Sequence, residues 1–418
     1  MSIYNNDAVR SENIDPVTFS SSLCVFKFDP NSYYYPNLRL SNLACDVAGK
    51  SYSKSAGVFS MIKNIRLMDG KQILCSMRDA NFYMSFKNLL TKNSFNQSYE
   101  RKLKLHALGY EYSSKSQIIS DELRNTTQRP DGGYVHLMDL FDMLSKVGIL
   151  NTHIFQNLRL EIEFEKDLTK LLTNNAAAAP AKQPILVVDR LRDEAMALKI
   201  QGQAFQGGLE YDDVELDSFD IAQSALDTTV QKVSKKVQGF DNKYVSRVVM
   251  MKNPVGSAIV LNGNDILGYG PYSSFAMQSE KLQIRCNGSN LYPADGLSGP
   301  NSVVAHTSDV WGSLNIVHAD HQVSVGNDKS QNNSVHKYYM RALANSKQNS
   351  IVGESSYFGS RIEDRVSDLQ FEYERQPLAG NDQDGKARMS QQLLARIFGE
   401  VRKTLVVDNK GNYKVLYV

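Results

Sequence analysis

The sequence runs to 418 residues, long for one hydrophobic core and comfortable for two domains of roughly 200 residues each. Its net charge is +2 and it has no strongly basic run, which argues against a protein that coats nucleic acid. No stretch of 18 apolar residues occurs, so no membrane span is expected, and the polar residues 1–13 lack the apolar segment of a secretory signal. The 21 tyrosines and 17 phenylalanines suit strand-rich structure. Cys24, Cys45, Cys75 and Cys286 are scattered with no CxxC, the pattern of buried free thiols in a reducing compartment rather than of a disulfide framework. Without a signal sequence, the sequons at Asn96, Asn125, Asn287 and Asn332 are expected to be accidental.

In chain order, residues 1–18 read as a polar N-terminal arm. Ile3, Tyr4, Val9 and Ile14 are isolated anchors within it, as in a segment that orders on a neighbour. Phe19 to Phe28 begins strand structure. Asp29 to Ser32 and the trio Tyr33, Tyr34 and Tyr35 read as a loop with aromatics, either a contact surface or rings folded back onto a sheet. Val58 to Met68 reads as a strand closed by the turn Asp69-Gly70, and Phe82, Phe86 and Leu89 place Arg78 to Leu90 on helical spacing. Lys102 to Tyr112 alternates again, and Ser113 to Asp131 is polar, ending in a strong turn at Arg129 to Gly133. Leu137, Leu140, Phe141 and Leu144 fall at helical spacing. They lead into the clearest strand of the chain, Leu158 to Lys166. There Leu158, Leu160, Ile162 and Phe164 alternate with Arg159, Glu161, Glu163 and Glu165. Asn174 to Pro180 is a loop before the strand Ile185 to Asp189. Residues 202–240, with Gly207-Gly208, an acidic run Glu210 to Asp220 and a basic hinge Val230 to Val237, read as a linker.

The second half opens with a strand from Tyr244 to Lys252. Asn262 to Asp265 is a hairpin turn and Gly268 to Pro271 a loop. Leu282 to Cys286 is a strand, Tyr292 to Asp309 a long loop, and Trp311 to Val325 alternates. Val335 to Ala344 can form a helix and Leu369 to Arg375 a strand. Pro377 to Lys386 is a polar loop, Ser390 to Phe398 a short helix, and Val401 to Val407 and Lys414 to Val418 are closing strands.

Four segments recur in one order at an offset of about half the chain. Leu158 to Lys166 pairs with Leu369 to Arg375, Val25 to Pro30 with Val249 to Pro254, Ile65 to Gly70 with Ile284 to Gly288, and Leu186 to Asp189 with Leu405 to Asp408. Such self-similarity argues for a duplicated domain.

Chemistry-bearing motifs are scarce. Of His106, His136, His153, His306, His318, His321 and His336, only His318 and His321 are closely spaced, and on a strand they face opposite sides. Gly268-Tyr269-Gly270 lacks the third glycine of a dinucleotide loop, and no GxSxG, Walker or HExxH motif occurs. Glu161, Glu163 and Glu165, like Glu372 and Glu374, share one strand face each, which reads as a solvated or interface face rather than a catalytic pair. No catalytic, cofactor-binding or metal-ligating residue is assigned.

The unit Leu137 to Lys166, the phrase Gly239 to Arg247 and the doubling resemble the double jelly-roll major capsid proteins of tailless double-stranded DNA viruses. These include polinton-like viruses, virophages and the adenovirus-like lineage. The resemblance implies an all-β fold of two tandem eight-stranded jelly-roll β-sandwiches with short helices in loops, over residues 19–201 and 241–418. It also implies a non-enzymatic function, a homotrimeric pseudo-hexagonal capsomer tiling an icosahedral shell, with no cofactor. The implied partners are other copies of the chain, neighbouring capsomers, penton and minor capsid proteins and, where the shell encloses one, an internal membrane. No sequence-specific nucleic-acid binding is implied. The expected location is the virion, after synthesis in the host cytoplasm. A vertex or minor virion protein, and a doubled β-barrel binding protein or enzyme of cupin type, are the competing readings. The second needs clustered histidine and glutamate ligands in each barrel.

Overall fold

Alternation of apolar and polar residues dictates most of what is seen. The structure, a computed structural model, describes residues 9–43, 59, 61–84, 135–166, 183–204, 208–221, 231–254, 280–291, 297–298, 357–375, 393–408 and 411–418. The segments read as strands at 102–112 and 311–325, the helix at 335–344 and the loops at 174–180, 262–265, 268–271 and 377–386 lie outside them.

The first half contributes β1 (Val9–Ile14), β2 (Thr18–Phe19), β3 (Leu23–Lys27), β4 (Tyr33–Tyr34), β5 (Arg39–Ser41), β6 (Ile62–Asp69), β7 (Gln72–Met77), β8 (Val135–His136), β9 (Leu150–Asn151), β10 (Leu158–Phe164) and β11 (Ile185–Leu191). A 3-10 turn (Leu137–Asp139) and helix α1 (Asp142–Lys146) precede β9. One sheet runs β8-β5-β11-β4-β9, with β1 also on β11; the other runs β2-β3-β10-β6-β7. In β10 the four apolar residues are all buried while the residues between them are half-exposed. Each such side chain taken out of water stabilises the fold by about 1.5–3 kcal/mol.

Helix α2 (Glu194–Ala204) follows β11 and leads into the second half. That half contributes β12 (Leu209–Ile221), β13 (Gln231–Val237), β14 (Tyr244–Pro254), β15 (Glu280–Cys286), β16 (Ser289–Asn290), β17 (Leu297–Ser298), β18 (Tyr357–Arg365), β19 (Leu369–Arg375), β20 (Leu393–Val407) and β21 (Tyr413–Tyr417). Its sheets are β12-β20-β14-β18, with β21 also on β20, and β13-β19-β15-β16, with β17 also on β15.

Taking β2 with β3, β4 with β5, β8 with β9 and β16 with β17 as interrupted single strands, each half has the same order. The first, eighth, third and sixth strands form one sheet, and the second, seventh, fourth and fifth form the other. That is the jelly roll, and the chain is a double jelly roll. Three of the four sequence repeats fall on equivalent strands: β10 with β19, β6 with β15, and β11 with the end of β20. The fourth does not, because Val25 to Lys27 lies in β3, a second strand, and Val249 to Pro254 in β14, a third strand. The true counterpart of β3 is β13, whose lysines hide the likeness.

Other expectations need correction. Residues 9–14 are not an arm without a core, since β1 pairs with β11 from Val9↔Leu191 to Ile14↔Leu186. The supposed linker 202–240 supplies the first two strands of the second sandwich, β12 on β20 and β13 on β19. The supposed helix at Ser390 to Phe398 gives way to β20, which pairs continuously with β12 from Leu393 onward. Tyr33 and Tyr34 are folded back into the first half, 8% and 0% exposed.

One close approach is demanding. A Cβ on Gly399 of β20 would lie 2.6 Å from Cε1 of the fully buried Phe240 ring. Gly399→Ala should therefore lower stability by about 1–3 kcal/mol in denaturant titration. By contrast, Gly202→Ala, in α2 with open space around the new methyl, should raise stability by up to about 1 kcal/mol.

Candidate functional site

Edge strands leave backbone N–H and C=O groups without a ladder partner, and proteins must cover them. Here the edge of the first sandwich, β7, meets the edge of the second, β12, without forming a ladder. Side chains do the covering instead, in both directions. Asp213 Oδ1 accepts the Ser76 N–H at 3.0 Å, and the Tyr211 hydroxyl donates to the Leu74 carbonyl at 2.5 Å. In return Asp142 Oδ2, on α1, accepts the Asp212 N–H at 2.9 Å, and the Arg78 guanidinium donates to the Leu216 carbonyl.

Around these caps lies a buried polar network. Lys403 Nζ is 2.6 Å from Asp213 Oδ2, the two side chains 5% and 2% exposed. Burial alone would lower the Lys403 pKa, but Asp213 outweighs it and holds the ammonium above its usual range. Tyr83 donates to Glu400 Oε1 at 2.7 Å, and Arg247 Nε sits 2.8 Å from Glu400 Oε2. Burial, reinforced by Glu400, pushes the Tyr83 hydroxyl well above its ordinary value, so it remains a donor. Arg396 bonds Asp79 at 2.7 Å with its guanidinium 3.8 Å from the centre of the Phe82 ring.

The apolar part of this seam is continuous with the first core. Leu209, Tyr211, Val214, Val249, Phe398 and Leu405 of the second half join the cluster of first-half residues, and Phe219, Phe240, Ile284 and Phe371 belong to a separate second core. The chain thus makes one block of two sandwiches.

The acidic strand faces noted in the sequence are not bare. Glu161 lies 3.1 Å from Arg66 of β6 and 3.0 Å from Arg159, and Glu163 accepts from Asn64 at 2.6 Å. Glu372 meets Arg285 of β15 at 3.2 Å, and Glu374 meets Lys232 of β13 at 3.2 Å. The pairs between neighbouring strands hold the sheets in register, and the basic run read as a hinge is the partner of the acidic face of β19. Asn287, φ 52°, is committed to a turn. Its amide donates to Asp364 and the Arg365 carbonyl, and its oxygen accepts the Ser367 N–H.

Of the histidines, His153 packs on Tyr33 with ring centres 5.2 Å apart. His106, His306, His318, His321 and His336 lie outside the described residues. Among the described residues no three of His, Cys, Asp and Glu are grouped to hold a metal ion. Cys24, Cys75 and Cys286 are buried and free, and burial pushes the Cys24 thiol up to about 12. The seam has no signature that periodicity or motif reading detects. Its residues lie at Arg78 and Asp79 after β7, in the helical residues 80–84 where the spacing predicts a helix, and in the acidic run of β12, read as a linker.

No family model matches the sequence, and no curated protein matches it. Solved structures do. A chain from the Sputnik virophage aligns at TM-score 0.59 and 8% identity, covering 98% of this chain and 88% of that one. The mavirus major capsid protein aligns at 0.56 and 7% identity over 100% and 91%, and the Faustovirus major capsid protein at 0.51 and 7% over 98% and 92%. At such identities the likeness is one of fold.

Two measurements probe these sites. Lys403→Met leaves Asp213 buried without its counter-charge and should cost about 3–5 kcal/mol. Adding Asp213→Asn should recover part of that loss in denaturant titration, since the amide oxygen can still accept the Ser76 N–H. In the first sandwich, burial raises the Asp189 carboxyl, but bonds from Ser11, Asn37 and Arg39 outweigh it and hold it below 3.8. A folded pKa below the unfolded one gives stability that is present above 3.8 and lost as pH falls through the folded value. Thermal midpoints should therefore fall in acid below that pH, and Asp189→Asn should be less stable at neutral pH with a flatter acid slope.

Proposed function

We propose that the chain is a major capsid protein whose function is assembly, forming a homotrimeric pseudo-hexagonal capsomer that tiles an icosahedral virus shell. The carrying observation is the seam. It fuses two jelly rolls of identical strand order into one block, so three chains present six like sandwiches around an axis. Such a block has six similar sides, the shape that tiles a flat facet. Likeness of fold to proteins named as the mavirus and Faustovirus major capsid proteins supports the reading. In it the protein is not an enzyme and acts in the virion, after synthesis in the host cytoplasm. It contacts copies of itself, neighbouring capsomers, and penton and minor capsid proteins. Obligate interfaces of this kind bury on the order of 2,000–5,000 Å². Purified protein should run in light scattering at three times the 46.9 kDa chain mass and show hexagonal outlines in negative stain. A monomer, or a five-fold ring as expected of a vertex protein, would refute the capsomer reading.

A further inference from the structure

Capping Ser76 accounts for Asp213 but not for Lys403. An asparagine would accept the same N–H with no charge to bury, and a buried ion pair often stabilises a fold no more than well-packed apolar residues do. The surroundings of the pair suit a reaction between its two members.

Four features meet there. Lys403 Nζ stands 2.6 Å from Asp213 Oδ2, and both side chains are almost wholly removed from water. The other carboxyl oxygen, Oδ1, accepts the Ser76 N–H at 3.0 Å, a backbone donor held by β7 of the first sandwich. A second carboxylate is at hand, since Glu215 follows two residues along β12 with Oε1 3.9 Å from Lys403 Nζ. Its Oε2 is anchored by Lys243 Nζ at 2.5 Å. The walls are aromatic and apolar. Tyr211, the register partner of Lys403, and Leu405, two residues along β20, are buried, and the Tyr417 ring centre is 4.9 Å from Nζ.

We propose that Lys403 and Asp213 condense into an amide, an isopeptide bond that ties β20 to β12 within one chain. The bridging proton passes from the ammonium to Oδ2, leaving an amine beside a carboxylic acid. Burial favours that exchange, because it outweighs Lys403 and the Ser76 N–H in pushing the Asp213 carboxyl above its ordinary range. The Nζ lone pair then attacks Cγ, and the charge that gathers on Oδ1 is met by the Ser76 N–H, as in an oxyanion hole. Glu215 takes a proton from the newly bonded nitrogen and returns it to Oδ2, which departs as water as the carbonyl re-forms. One ammonium and one carboxylate become one amide and one water, with no oxidant or cofactor. Both buried charges disappear, and the amide oxygen still caps Ser76.

Because Ser76 belongs to the first sandwich, the bond forms only after the two sandwiches have docked. Its partners are 190 residues apart, so it closes a loop around most of the second sandwich, and long loops gain most from closure. It acts inside one chain and needs no second copy.

The test is the mass of the full chain under denaturing conditions, where an ion pair falls apart and an amide does not. It should be lower by one water than the sequence requires, and Lys403→Arg should restore the full mass. Trypsin should release a branched peptide that joins the Asp213 segment to the Lys403 segment, uncut after Lys403. In cell-free synthesis of the chain, Glu215→Gln should slow the appearance of that peptide by about 100-fold or more. A wild-type chain of full mass overturns the bond, and so does a missing water that maps to an aspartyl–glycine step such as Asp69-Gly70. A branched peptide that forms at the wild-type rate in Glu215→Gln overturns the role given to Glu215.

Discussion

The constraint on which the architecture turns is the fate of backbone groups at sheet edges. A jelly roll has open sheets, so its outermost strands present N–H and C=O groups that invite pairing with any passing strand. Joining β7 and β12 in a ladder would have merged two sandwiches into one continuous sheet. The chain instead satisfies the edge of each sandwich with side chains from the other. The sandwiches stay separate as sheets while their contact is specified atom by atom. The Asp213–Lys403 pair, between β12 and β20 of the second sandwich, then holds the Asp213 carboxylate where it meets Ser76 of the first, because a buried charge displaced from its partner is costly.

How far this was legible in the sequence follows from periodicity. Strands with one face in a core and one in water announce themselves, and Leu158 to Phe164 is the clearest case, buried at every second residue. Three of four repeats could be aligned for the same reason. Strands with other surroundings could not be read. Strand β12 packs one sandwich against the other, so its acidic side chains have fixed partners, Asp213 reaching Ser76 across the seam and Asp212 meeting Arg402 of β20, and the run looks like a linker. In β20, Arg396, Glu400 and Lys403 face the seam among apolar residues, which breaks the alternation and imitates a helix at its start. Strand β1 is short, pairs with β11 and leaves Arg10, Ser11 and Asn13 exposed, and polarity alone made it look like a tail.

The acidic strands show how a pattern can be right and its meaning incomplete. The carboxylates of β10 and β19 do line one face each. Their purpose could not be seen along one strand, because their partners come from β6, β13 and β15, far away in sequence. The equivalent placement of acidic seventh strands beside basic neighbours in both sandwiches is what a duplicated domain leaves when its cross-strand pairs constrain one another.

An assembling protein has reason to prefer polar caps to a hydrophobic weld. A purely apolar edge contact tolerates sliding, and in a chain with two similar sandwiches sliding would let wrong edges meet. Directional caps reject a shifted register, since each misplaced side chain leaves a buried group unsatisfied at a cost of about 1–3 kcal/mol. A few such penalties suffice to distinguish the correct neighbour from its near copy. The fusion of two sandwiches in one chain then makes half of those choices by covalent connection, and only contacts between chains remain to be selected.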